Sequence, residues 1–221
     1  MLRYILSLSF VLWTFLALAQ GKKSSEDSLK MLRPSSVPSF RLGANLVAPV
    51  RTFLSKKYVG VELSAELWGK KGYALVAEGG YASRTRLDED YQTRGIFMRL
   101  GFDYGFWSKN PIKNPLGTWQ IGVRLCASSF NYEYRTVISN SYWTPLAINT
   151  SGRGKTALWL EVPFSLRAKI GKYLYLGPFL KTKLLLSASQ DAILGKLADI
   201  PGYGISNTLQ AEAGYWIFWK F

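Results

Sequence analysis

From Phe40 onward the chain alternates apolar and polar positions with a period of two. In the stretch 58–68, Val59, Val61, Leu63, Ala65 and Leu67 fall on one parity. Gly60, Glu62, Ser64 and Glu66 fall on the other. Successive side chains of a β-strand point to opposite faces, so such a stretch predicts a strand with one apolar and one polar face. Eight stretches read this way: 40–48, 58–68, 73–83, 95–106, 118–130, 156–170, 173–187 and 205–221. Ahead of them, residues 20–38 are polar and contain Pro34 and Pro38, which predicts a flexible lead-in. Residues 39–221 are expected to form one all-β domain.

The gaps between the stretches suggest how they connect. In order they hold about nine, four, eleven, eleven, twenty-five, two and seventeen residues. The odd-numbered gaps share one end of an up-and-down sheet, and most of the long ones are among them. Outer-membrane barrels have short turns at one end and long loops at the other. The fourth gap, with Pro111 and Pro115, departs from the rule. Near the short-turn end lie Phe40, Trp68, Tyr73, Phe106, Trp107, Trp119, Tyr173, Trp219 and Phe221. Rings of this kind favour a membrane–water border. The longest gap, 131–155, carries Tyr132, Tyr134, Tyr142 and Trp143, which are expected to pack over the barrel mouth.

Charge decides which face points inward. The polar parities carry Arg41, Arg99, Arg124, Arg167, Lys169, Lys181, Lys183 and Lys220. Against them stand Glu62, Glu66, Glu78, Asp103, Glu161 and Glu212. Charges of both signs, one or two per strand, suit a small polar interior where they can pair, as buried charges must. The expected fold is therefore an eight-stranded antiparallel up-and-down transmembrane β-barrel. Its lumen charge network would comprise Arg41, Glu62, Glu66, Glu78, Arg99, Asp103, Arg124, Glu161, Arg167, Lys181, Lys183 and Glu212. Phe97, Trp159 and Phe179 also point inward, and eight strands enclose a space that side chains can fill. A general diffusion pore is not expected.

Composition narrows the chemistry. The chain has no His, which removes Ser-His-Asp triads, imidazole bases and His-ligated metals. A single Cys removes internal disulfides and thiolate clusters. Glu62 and Glu66 share one strand face, but inward ion pairs account for them better than a carboxylate-only catalytic site. No cofactor, metal or enzymatic activity is expected. The net charge is +14. Basic residues are scattered, and export argues against nucleic acid as the partner. Lipopolysaccharide phosphates are the expected contact of the basic loops, and a surface or periplasmic partner is a further candidate.

Both ends of the chain carry export features. Arg3 precedes the uncharged, mostly apolar run 4–18, and Ala17-Leu18-Ala19 offers small residues at signal-peptidase positions. The run is shorter than the roughly 20 residues of a spanning helix. Residues 1–19 are thus expected to be a signal peptide cleaved near Ala19. With no Cys nearby, a lipoprotein anchor is not expected. At the other end Tyr215, Ile217, Trp219 and Phe221 alternate and finish on an aromatic residue. This resembles the C-terminal strand of bacterial outer-membrane proteins, and the resemblance implies recognition by the barrel-assembly machinery.

Four short runs carry a family resemblance. They are 60–66 (GVELSAE), 75–81 (LVAEGGY), 100–104 (LGFDY) and 159–161 (WLE). Together they resemble a family of small, functionally uncharacterised outer-membrane β-barrel proteins of Bacteroidota-type bacteria. The resemblance implies an outer-membrane location in a Gram-negative bacterium and no defined activity. The expected function is non-enzymatic, structural or surface-interacting, in contact with outer-membrane lipid. The competing expectation is a secreted or periplasmic soluble β-barrel that binds an apolar ligand. In that case Leu160, Val162, Phe164 and Leu166 would line a cavity, with Arg124 and Glu161 exposed.

Overall fold

The computed structural model describes residues 39–55, 57–69, 72–86, 91–106, 118–138, 146–189 and 199–221. The expected signal peptide and lead-in lie outside them, as do Trp107, Tyr142, Trp143 and the side chain of Phe106. In chain order the elements are β1 (Ser39–Asn45), α1 (Val47–Leu54), β2 (Tyr58–Trp68), β3 (Tyr73–Arg86) and β4 (Tyr91–Phe106). They continue with β5 (Thr118–Ile138), β6 (Leu146–Lys169), β7 (Leu174–Ala188), the two-residue strands β8 (Asp199–Ile200) and β9 (Gly204–Ile205), and β10 (Leu209–Lys220).

Eight of the strands close an antiparallel barrel in the order β1-β10-β7-β6-β5-β4-β3-β2. Closure runs from Arg41↔Lys220 to Asn45↔Trp216. Every barrel strand thus has a neighbour on each side, at least over part of its length.

The burial pattern is that of a soluble sheet turned inside out. On β2, Glu62, Ser64 and Glu66 are buried while Val61, Leu63 and Leu67 are about half exposed. On β4, Ile96, Met98, Leu100 and Phe102 face outward, and Arg99 and Asp103 face inward. Leu100, Leu125 and Leu160 lie side by side across three strands of the outer surface. Val162 and Phe164 are exposed, and Arg124 and Glu161 are buried, the reverse of what a soluble barrel with an apolar cavity requires.

Several parts of the chain depart from the sequence expectation. Residues 84–86 and 91–94, expected as loop, pair as strand up to Arg86↔Tyr91, and the last strand begins at Leu209 rather than Ile205. The first strand stops at Asn45 instead of running to Ala48. The Asn45 side chain accepts a hydrogen bond from Val47 N at 2.9 Å, and a helix follows. Pro49 sits in its first turn, where a missing N–H costs nothing.

The stretch 131–155 is mostly strand rather than loop. β5 and β6 continue to pair from Tyr132↔Gly152 to Ile138↔Leu146, past a register shift at Phe130. Over 131–135 the alternation inverts, with Tyr132 buried and Tyr134 half-buried while Asn131, Glu133 and Arg135 are exposed, so it no longer reads as a strand with an apolar outer face.

The last long gap contains the small antiparallel pair β8 and β9. α1, this pair and the β5–β6 extension all stand at one end. The short β6–β7 turn, Ser39 and Phe221 mark the other.

Candidate functional site

Charged and aromatic side chains line the lumen from one end to the other. Nearest the short-turn end, Glu66 accepts from Arg167 Nη2 at 3.1 Å and Trp68 Nε1 at 2.9 Å. Arg41 Nη1 is 3.8 Å from the same carboxylate. The Arg41 guanidinium lies over the rings of Trp68 and Tyr175, 4.9 and 4.5 Å from their centroids. Arg167 lies 4.1 Å over Phe218. Such contacts favour a cation screened from water.

At mid-barrel the pairs interlock. Glu78 receives Arg124 at 2.9 Å, Lys181 at 2.9 Å and Arg99 at 3.1 Å. Arg124 also pairs with Asp103 at 2.9 Å. Glu62 pairs with Arg99, receives Lys181 Nζ at 3.3 Å and accepts from Asn45 Nδ2 at 2.8 Å. Arg99 Nε reaches Glu161 at 3.0 Å, and that carboxylate also accepts from Trp159 Nε1 at 2.7 Å. Lys183 is 2.5 Å from Glu212 and 3.9 Å from Glu161.

All twelve charges expected in the lumen therefore pair there, in two groups. Arg41 and Arg167 share Glu66 near the short-turn end. The other four cations and five carboxylates form one connected set at mid-barrel. Glu62 and Glu66 belong to different groups and share no cation among these pairs. Lys169 and Lys220 share the inward parity, but Lys169 opens at the rim, exposed, and Lys220 is only half-buried.

The β8–β9 pair plugs the other mouth. Its turn carries Tyr203, 2% exposed, whose ring meets Trp159 edge-on at 5.7 Å and whose hydroxyl donates to Asn207 O. Ile200 is equally buried. Lys183 Nζ donates to the carbonyls of Gly202 and Tyr203 at 2.7 and 3.2 Å, and Arg99 Nη2 donates to Gly202 O at 3.0 Å. Asp199 ties the pair to the wall through Arg84 at 3.0 Å and Arg86 at 2.9 Å. Gly202 has φ +80°, and a Cβ there would collide with the Phe97 ring, so only glycine fits the turn.

Sequence reasoning missed Asn45, Arg84, Arg86, Asp199 and Tyr203. It also placed Trp68 in an outer aromatic border, whereas Trp68 is buried in the lumen against Glu66. Its even position on β2 and the Glu66-Leu67-Trp68 spacing put both side chains on one face, a signal repeated in Trp159-Leu160-Glu161. The outer border is built by Phe40, Tyr73, Tyr104, Trp119, Tyr173, Trp219 and Phe221, all exposed. Tyr173 stacks on Trp219 at 6.3 Å, and Phe40 meets Phe221 at 6.1 Å. Tyr215 and Ile217 share this outward parity and are half-buried. Tyr132 is buried beside Tyr91 under the long β5–β6 hairpin.

The family described as Domain of unknown function (DUF6048) matches residues 1–220. The chain belongs to that family. No curated protein matches it. Among solved structures, the chain is similar to a major outer membrane protein from Thermus thermophilus, at 12% identity and a TM-score of 0.48. That match covers 84% of this chain and 100% of the other. It is also similar to Neisserial surface protein A (NspA), at 8% identity and a TM-score of 0.41, covering 83% and 96%. The N-terminal β-barrel domain of Pseudomonas aeruginosa OprF matches at 11% identity and a TM-score of 0.37, covering 83% and 97%.

Proposed function

We propose that this DUF6048 protein is a non-enzymatic resident of the outer membrane of a Gram-negative bacterium, with a closed lumen and a structural or surface-interaction role. Export would remove residues 1–19, and the barrel-assembly machinery would insert the rest by way of the strand that ends in Phe221. The observation that carries the reading is the burial pattern. Charged side chains fill the inside, and a band of Leu, Ile, Val and Phe covers the outside. Only a hydrocarbon solvent rewards that arrangement over its inverse.

The interlocked charges, the Trp and Phe rings and the plug at the mouth leave no open path for a steady current. The basic loops would face lipopolysaccharide phosphates, and their surface is where a partner would bind.

Two measurements on the detergent-refolded protein test the proposal. An unboiled sample should migrate differently from a boiled one on a denaturing gel, and protein in planar bilayers should give no stable porin-like conductance. A protein that stays soluble without detergent would overturn the membrane reading. A steady open-pore current would overturn the closed lumen.

A further inference from the structure

Among the described residues the barrel wall is incomplete on one side. β1 pairs with β10 only as far as Asn45↔Trp216, with one more bond from Leu46 N to Tyr215 O at 2.9 Å. It pairs with β2 only as far as Ala44↔Leu63. Among the described residues, 209–214 of β10 and 58–62 of β2 therefore have a strand partner on one side alone. α1 fills part of the space. It packs on β2, and its Thr52 Oγ1 accepts from Gly60 N at 3.1 Å. Val50, Phe53 and Leu54 of α1 turn outward, exposed.

A cavity of about 320 Å³ reaches the remaining opening. Ala211, Glu212 and Ala213 all border it, although they alternate between the outer and inner faces of β10. The cavity is also lined by Arg51 and Arg84, both exposed, by the buried Lys183 and by the β8–β9 pair.

We infer that this breach is a lateral port through which a single-chain amphiphile with an anionic head group passes between the bilayer and the cavity. The inference rests on the membrane reading proposed above. Unpaired backbone at membrane depth is tolerated where it is buried in protein or lines a cavity, and here α1 covers part of the edge and the cavity borders the rest. Ala211 and Ala213, both exposed, leave a shallow track on the outer surface beside the unpaired edge of β10, which suits an alkyl chain. The head group would meet Arg51, which has no acidic partner among the described residues, and Arg84, which is shared with Asp199. The volume lies at the small end of the roughly 300–1,000 Å³ of ligand sites, which fits one chain rather than two.

The test uses the full chain refolded into phosphatidylcholine nanodiscs with spin-labelled stearate as probe. A second arm uses a spin-labelled lysophosphatidic acid, so that carboxylate and phosphate heads are compared. A motionally restricted component is expected with at least one of them. Ala213→Trp, which blocks the track, and Arg51→Gln should each weaken it by roughly tenfold. Ala127→Trp, on the outer face of β5 away from the breach, should leave it unchanged. Should Ala213→Trp lose its heat-modifiable migration, Ala211→Leu obstructs the same track with less bulk. Protein that enters the nanodiscs but restricts neither probe, or loses restriction equally in Ala127→Trp, overturns the port and leaves the membrane reading standing. Protein that does not enter overturns both.

Discussion

Arg99 is the residue on which most of the interior converges. It pairs with Glu62, Glu78 and Glu161 and donates to the plug carbonyl of Gly202. A buried ion pair returns little net stability, but removing one partner leaves the other charge without compensation, at about 3–5 kcal/mol. Arg99→Leu should therefore destabilise the folded barrel by about that amount, read from urea unfolding of the refolded protein in detergent. Loss of less than about 1 kcal/mol would mean that the carboxylates are hydrated or protonated and need no cation.

Which residues share a face was legible from parity, because a strand allows two faces, and which face is the inner one was read from charge. Which cation meets which carboxylate was not. Arg99 on β4 reaches Glu161 on β6, past β5, so that pairing depends on barrel radius and side-chain reach. The Trp68–Glu66 and Trp159–Glu161 bonds were legible in principle, since both join residues two apart on one face.

The barrel strands announce themselves by alternation, and the elements at the long-loop end do not. The run VAPVRTFL resembles a strand in its apolar content, but the turn at Asn45 redirects it into α1. The β8–β9 pair is too short to show alternation, and part of what holds it is bonding to the backbone carbonyls of Gly202 and Tyr203, which no residue pattern betrays.

Lys183 supplies two of the bonds that hold the pair, and a hydrogen bond from a charged donor contributes about 1.5–3 kcal/mol. Lys183→Met should loosen the plug with the barrel intact. Limited proteolysis should then cut within 199–205 several-fold faster than in the unaltered protein, while the heat-modifiable migration persists. Equal cleavage rates would show that Asp199 with Arg84 and Arg86 holds the plug unaided.

At the scale of the whole molecule, two surfaces define the protein. The inner one is charged, and its two interlocked groups hold six cations against six carboxylates. The outer one is an apolar band bordered by exposed aromatic rings at the short-turn end. A lipid-facing charge near the bilayer midplane costs about 2–4 kcal/mol in such barrels. Leu125→Arg, in the middle of the Leu100–Leu125–Leu160 patch, should lower stability by that amount. The matching change at the buried Ser128 should fail for the different reason of crowding, and so should persist in any detergent.

The most direct test of the account is the alternation itself. In a Cys126→Ser background, a nitroxide-labelled cysteine is placed in turn at positions 123, 124, 125, 127 and 128 of β5, and the protein is refolded into bilayers. Collision rates with oxygen and with a water-soluble nickel chelate are then measured. The account predicts high oxygen and low nickel accessibility at 123, 125 and 127, and low accessibility to both at 124 and 128. Nickel accessibility at 123, 125 and 127 would place that face in water and contradict it.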